Sequence, residues 1–456
     1  MKKKKLWKIL TIWINGKEGD YIMNMLIIGN GFDLAHGLPT SYKDFLKFVN
    51  LANAILEDDL ATITKIETSD GNDDKEIIKT KNFKDFIISL KNKSDFKYIE
   101  EIHKLSCDNL WFNYFNDFKS KYNTWIDFES EISKVVQILE TVKIKKDTAI
   151  IYKSKIFEVH FGIKEIIKPF KYNKTIVKKD TDNKTGEDIY IAFTEIYISF
   201  IDKLLEDLNR LIRCLEIYLS SYINSLDIKT TIPEICELYN IDYVLSFNYT
   251  DTFKRLYGKA KNISYNYIHG KANLKNNVEN CQLILGIDDY LDDERSSKYT
   301  DFIQYKKYFQ RVYKETGCEY SDWLNKDISD KKELNVYIFG HSLDATDKDI
   351  FKEILTNEFV KVHIYYHNKS SLGEKIANLV KIISKEKLIE YTSGKKRKIN
   401  FIKQVEVKEY EEKNIVQSEI KEVSTIAAHN DHLKDPDEKE NIQTDLDEMD
   451  NWDNEE

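Results

Sequence analysis

The chain has 456 residues, 41% of them hydrophobic and 12% aromatic, and a formal net charge of -9. That length allows two or three domains, or one domain carrying a large insertion. The charge sits at the end, where twelve carboxylates from Asp431 to Glu456 face only Lys434 and Lys439. The remainder is near neutral, with no global field to attract nucleic acid. Five widely separated cysteines without a C-x-x-C pair argue for a reducing, cytoplasmic compartment and against a zinc module. No apolar run has the length of a membrane span.

Taken in order, the chain opens MKKKKLWKILTIWING, which imitates a signal peptide. Lys8 interrupts its apolar stretch, and no small-residue cleavage site follows. Residues 1–22 are therefore read as an extension outside the fold, with Met23 or Met25 opening the domain. MLII (25–28) is an apolar run ending in Gly29-Asn30-Gly31, as a buried strand entering a tight turn should be. After His36-Gly37-Leu38-Pro39, Thr40 or Ser41 can cap a helix with Asp44 in its first turn.

The charged stretch from 58 to 105 predicts a loosely structured region with short helices. Apolar spacing is helical from Leu110 to Thr141, and 144–187 is ambiguous. Ile189 to Leu226 reads as one long helix or two, with Phe193, Ile196, Phe200, Leu204 and Leu208 at spacings of three or four. Past Pro233, strands are predicted at Asp242–Phe247, Ile263–Ile268, Leu283–Leu285, Asn335–Phe339 and Lys361–Tyr366. Helices are predicted between them, at Thr250–Tyr257, Asp301–Glu315, Thr346–Leu355 and Leu372–Ile383. Such alternation predicts an α/β fold with a doubly wound, mainly parallel sheet. Residues 23–57 and 236–405 would form its two parts, and 58–235 a mostly helical insertion. The acidic tail, 406–456, is expected to be disordered from about 431.

Four segments place short glycine turns and polar residues just after apolar strands. They are Gly29-Asn30-Gly31-Phe32-Asp33, Ser246-Phe247-Asn248-Tyr249-Thr250, His269-Gly270 and Gly340-His341-Ser342-Leu343-Asp344. In an open parallel sheet ligands bind beyond the carboxyl ends of the strands, so the four predict one shared crevice. Gly29 and Gly31 lack the third glycine of the dinucleotide fingerprint, since Leu34 stands there. They serve either a tight strand-to-loop turn or a turn whose amides face an anion. His269 is a general-base candidate or a structural hydrogen-bonder. Asn248 orients a ribose hydroxyl or a water, or closes its strand. Asp33 and Asp344 accept from ribose hydroxyls or cap helices, capping being the better reading for Asp344. The acidic run Asp288 to Glu294 reads as a solvated loop, and no metal is expected.

Together, LIIGNGFDLAHGLPTSYKDFL, SFNYTDTF, YIHG, LILGID, FGHSLDATDKDI and IYYHN resemble the AbiH family of bacteriophage abortive-infection proteins. The resemblance covers the sheet-forming part and implies a cytoplasmic role in defence against phage. A more distant resemblance is to sirtuin-like NAD-consuming domains, whose G-A-G, G-[IL]-P, [TS]-x-N-[YI]-D, H-G and G-x-S segments occur in the same order. It implies a Rossmann-like, sirtuin-type sheet and NAD as substrate, with Asn248 and His269 catalytic. Gly29, Asn30, Gly31, Asp33, Gly340, Ser342 and Asn368 would contact the nucleotide. Asn30 stands for the family's Ala, Asp33 for a Ser and Thr250 for an Asp, and the deacetylases' zinc cysteines are absent.

These resemblances lead to the expectation of an NAD glycohydrolase that cleaves the nicotinamide–ribose bond in response to an unknown phage trigger. The insertion would cover the crevice, sense the trigger or build a homo-oligomer. The alternative is a non-catalytic nucleotide-binding sensor or interaction protein of a phage-defence system.

Overall fold

The computed structural model describes residues 22–405 apart from 72, 123–126, 150–185, 239, 259–261, 288–301 and 331–332. Residues 1–21, most of the ambiguous 144–187 segment, the acidic run 288–294 and the tail from 406 lie outside the described residues. Two units are distinguished: one of residues up to Thr231 together with Leu238–Lys403, and a second of Ile232–Glu237 with the residues from Gln404 onward.

Along the first unit, strand β1 (Met23–Ile28) leads into the short helix α1 (Asn30–Ala35) and then α2 (Tyr42–Leu56). The insertion follows as α3 (Leu60–Thr68), α4 (Asp74–Leu90), α5 (Phe96–Ser106), α6 (Leu110–Tyr122), α7 (Phe128–Ala149) and α8 (Gly186–Ile217). Helix α8 passes into a π turn, Tyr218–Tyr222, and a 3-10 turn, Ile223–Ser225. In the second unit, α9 (Pro233–Cys236) carries a proline in its first turn, where no amide is missed, and Glu234 accepts from the Val405 amide at 2.6 Å. Back in the first unit come β2 (Tyr243–Ser246), α10 (Thr252–Leu256), β3 (Ser264–Tyr267), α11 (Lys307–Tyr313), α12 (Glu319–Asp330) and β4 (Leu334–Phe339). The chain continues through α13 (Lys348–Thr356), β5 (Val360–Tyr366), α14 (Lys369–Ile383), α15 (Lys385–Thr392) and β6 (Ile399–Lys403).

The six strands form one sheet in the order β3-β2-β1-β4-β5-β6, and every pair is parallel. The last four residues of β1 are all buried, as the continuous apolar run of a central parallel strand requires. Met25 to Ile28 sit opposite Tyr243 to Ser246 on one side, and Met23 to Ile28 opposite Leu334 to Phe339 on the other. This is the order of a doubly wound dinucleotide-binding fold, and its direction reverses between β1 and β4. The carboxyl ends of those two strands carry the Gly29 and Gly340 loops.

Two apolar cores fill the unit. One lies on the sheet face carrying Met25, Ile27, Leu245, Val336, Ile338 and Ile364, packed with Trp323, Phe351, Ile354 and Leu379 from α12, α13 and α14. The other belongs to the helices: Phe45, Phe48 and Val49 of α2, Phe83 and Ile87 of α4, Ile99 of α5, Trp111 and Phe115 of α6, and Leu204, Leu208 and Leu211 of α8. Helix α2, expected with the first part of the α/β core, thus puts its buried face among the insertion helices. Ser41 caps it by accepting from the Asp44 amide.

Three expectations need correction. Residues 58–105 are not loosely structured: they hold α3, α4 and α5, and Phe83 and Ile87 are fully buried. Their one-turn spacing makes a narrow apolar stripe inside a largely charged sequence. Leu283–Leu285 is buried but forms no strand. Its backbone is satisfied elsewhere, with Ile284 N–H donating to His269 O at 2.9 Å and the Gln310 amide pairing with Leu285 N–H and O at 3.1 and 3.2 Å. The sixth strand, β6, was not expected; it pairs with β5 from Val362↔Ile399 to Tyr366↔Lys403. Among the described residues no helix is long and apolar enough to cross a membrane.

Candidate functional site

The strand ends converge on a crevice of about 330 Å³, lined by Gly29, Asn30, Gly31 and Asp33 after β1, Asn248 after β2, His269 after β3, and Gly340 and Ser342 after β4. Tyr42 of α2 closes it together with the insertion, which supplies Asp127 and Glu129 at the start of α7, Leu215 at the end of α8 and Leu219 in the π turn. Asn368 is not among the lining residues. It is exposed, and its side chain accepts from Ser371 N–H as the N-cap of α14. Strand β5 lies one place beyond the reversal in strand order, and its last loop starts a helix instead of facing the crevice.

At the reversal the glycines are explained by contact between backbones. A Cβ on Gly31 would lie 2.7 Å from Gly340 O, and one on Gly340, at φ +69°, 2.1 Å from Phe32 N. Gly31 N–H donates to Gly340 O at 2.8 Å and Gly29 N–H to Phe339 O at 3.2 Å. Those two amides are therefore engaged and do not face an anion. The Asn30 side chain ties the same turn to Thr40, accepting from its hydroxyl at 2.7 Å and donating to its carbonyl at 3.2 Å.

The β2 and β3 side is different. Asn248 is 4% exposed, its backbone is latched to the Ser246 hydroxyl, and neither Oδ1 nor Nδ2 has a hydrogen-bond partner. Asp33, buried on α1, accepts from the Thr250 hydroxyl at 2.5 Å through Oδ2, while Oδ1 has no partner. Burial pushes the Asp33 carboxyl up to about 6, against the Thr250 hydrogen bond, the polar groups of Thr252 and Asn248 nearby and the charge of Arg255. Buried polar atoms without partners are rare in folded proteins. Three of them, Asp33 Oδ1 and both polar atoms of the Asn248 amide, belong to residues lining this crevice.

His269 donates or accepts through Nε2 at 3.0 Å from Asp347 Oδ1. Asp347 is anionic: burial alone would raise its pKa, but Lys307 and His269 hold it well below the usual carboxylate range. Facing a carboxylate, Nε2 carries the proton, which leaves Nδ1 with the lone pair. Burial holds the imidazole below its ordinary pKa, opposed by Asp347 and aided by Lys307. His341 packs beside this pair, its Nδ1 accepting from Leu343 N–H at 2.9 Å and its Nε2 lying 3.7 Å from Asp347 Oδ2. Ser342 is exposed at the mouth. The Asp344 carboxylate accepts from Thr346 N–H at 3.0 Å, the capping role expected of it.

Asp347, Lys307 and Glu129 were missed by sequence reasoning. Lys307 pairs with Asp347 at 2.9 Å and with Glu129 at 2.9 Å, and Thr346 donates to Glu129 at 3.1 Å. Burial, with the charges of Asp347 and Asp127, pushes the Glu129 carboxyl up to about 7 against the pull of Lys307. Asp347 lay within the quoted FGHSLDATDKDI run, where a second Asp three residues after Asp344 was the available signal. Nothing in the sequence pointed to Lys307 or Glu129, which sit at the starts of two distant helices. Among the described residues no cluster of three metal-ligating side chains occurs, and all five cysteines are free thiols.

A doubly wound α/β sheet with a polar crevice at its switch point, walled by a helical insertion, is the class of protein that these features define. Residues 25–367 match the family model described as bacteriophage abortive infection AbiH, and the chain belongs to that family. Membership implies a role in abortive infection of phage-infected bacteria. No curated protein and no solved structure matches the chain.

Proposed function

We propose that the crevice hydrolyses the nicotinamide–ribose bond of NAD, making the chain an NAD-consuming effector of abortive infection. The observation that carries this reading is the pairing of a buried, unpartnered Asn248 with an Asp-oriented His269 at the ends of adjacent strands. The sirtuin-type order of the strand-end segments supports it. In the reaction, water adds to the ribose C1′ and nicotinamide departs neutral with the electron pair of the C–N bond. His269 Nδ1 takes the proton from the water, which Asn248 holds together with a ribose hydroxyl. Positive charge develops at C1′, and the carboxylates of Asp33 and Asp127 in the crevice lining favour it electrostatically.

The crevice volume suits the ribose and base, so the diphosphate would lie toward the mouth near Ser342 and the Asn30 amide. That differs from the cradle expected of the glycine turn. The test is nicotinamide release by the purified chain, compared with Asn248→Ala and His269→Ala. Release by wild type, and its loss in both variants, is the expected result. Nucleotide binding without any release would replace the enzyme by a nucleotide-binding sensor.

A further inference from the structure

The buried ammonium that pairs with Asp347 and Glu129 has no role in the reaction above. Lys307 is 2% exposed, and a buried ammonium is costly unless it is paired. Its three partners come from separate places in the chain: Glu129 from the insertion, and Thr346 and Asp347 from the loop after β4. On Asp347 it shares one oxygen, Oδ1, with His269.

Glu129 is itself held firmly. The neighbouring Phe128 ring is stacked between Tyr42 at 4.1 Å and Phe115 at 4.0 Å, and Asp127 Oδ1 accepts from the Glu129 amide at 3.1 Å.

We propose that Lys307 is a positioning residue for His269: by bridging Glu129 of the insertion to Asp347, it fixes the carboxylate that orients the imidazole. The base is then assembled only when helix α7 is seated beside the sheet. This rests on the reading of His269 as the general base, and it makes the insertion a wall of the reaction site as well as a cover.

The charges around the imidazole agree with that role. His269 faces Asp347 directly, with the positive charges of Lys307 and Arg311 acting on it and the rings of Phe247 and Tyr249 beside it. Beyond Asp347 stand His341 and, behind that, Lys375; beyond Lys307 stand Glu129 and Asp127. With Lys307 in place, the Asp347 charge is compensated and the imidazole stays neutral. Without it, Asp347 would act on His269 unopposed and would meet Glu129 as a like charge.

The experiment is a ¹⁵N-histidine titration of the full chain as wild type, Lys307→Met and Lys307→Arg, run beside nicotinamide release. In Lys307→Met the His269 midpoint should rise by about one pH unit. The acid limb of the rate profile should move with it, and kcat should fall more than KM rises. Lys307→Arg should restore most of each, because it keeps the charge. An unchanged His269 midpoint in folded Lys307→Met would overturn the proposal.

If that variant does not fold, Glu129→Gln decides. It leaves the Lys307–Asp347 pair but weakens the tether, and should lower kcat; wild-type kcat and wild-type imidazole shifts in it would overturn the proposal. A wild-type chain without turnover would condemn the enzymatic reading alone, because the titration still decides whether Lys307 governs His269.

Discussion

Around the crevice, the loops after β1 and β4 meet backbone against backbone, whereas those after β2 and β3 present side chains with unmet hydrogen-bonding capacity. In the first pair Gly31 and Gly340 leave no room for a Cβ and bond to each other, so their chemistry is that of packing. In the second pair Asn248 has no side-chain partner and His269 has one, Asp347, which points its other nitrogen elsewhere. The contrast teaches that glycine at a strand end is not by itself a ligand signal. A buried polar group left without a partner is the better one.

The largest expected effect separates chemistry from packing on the second side. His269→Ala should reduce nicotinamide release by roughly 10²–10⁴-fold, the usual worth of a general base, while circular dichroism stays that of wild type. An equal loss of structure would assign His269 to packing.

On the glycine side the effect should be on stability. Gly340→Ala combines a positive φ with a Cβ 2.1 Å from Phe32 N and should cost about 3 kcal/mol or more in urea unfolding. Gly37, whose added Cβ meets nothing within 4 Å although φ is +76°, is the control and should cost only about 1 kcal/mol. Equal costs would show that the two loops are not packed as described.

At Asp33 the expected effect depends on pH. Its folded pKa of about 6 lies above the ordinary 3.8, so the folded state holds the proton more tightly. The associated stabilisation is complete below about pH 4 and is lost as pH rises through 6. Asp33→Asn, which keeps an acceptor for Thr250, should therefore gain on wild type across that window. At pH 7 the difference should be on the order of 3 kcal/mol. A difference independent of pH would mean that Asp33 is hydrated or paired.

The smallest effect has an informative sign. Asn248→Leu replaces an unpartnered amide with an apolar group of similar size, and should raise stability by about 1 kcal/mol while abolishing turnover. Lower stability would mean that the amide is satisfied in the resting protein.

Much of the sheet was legible because parallel strands leave compact apolar runs that end in punctuation: MLII before Gly29, DYVLSF before Asn248, NVYIF before Gly340. β6 was not, since INFIK mixes polar with apolar residues and follows the basic run Lys395 to Lys398. In 58–105 the buried Phe83 and Ile87 are outnumbered by charged residues that face solvent, so the helical period was masked. Within the site, Asn248 and His269 were readable because each follows a strand. Lys307 and Glu129 were not, because their proximity exists only through the stacking of Phe128 on Tyr42 and the seating of α7 beside the loop after β4. Asn368 had the right neighbours in sequence but the wrong strand.

If this crevice consumes NAD when the chain stops growth, cellular NAD must fall with it. Cells should be sampled during growth arrest caused by the wild-type chain, with Asn248→Ala expressed to the same level as control. NAD should fall, with matching nicotinamide and ADP-ribose, in wild type only. Unchanged NAD in cells that the wild-type chain has demonstrably arrested would contradict it.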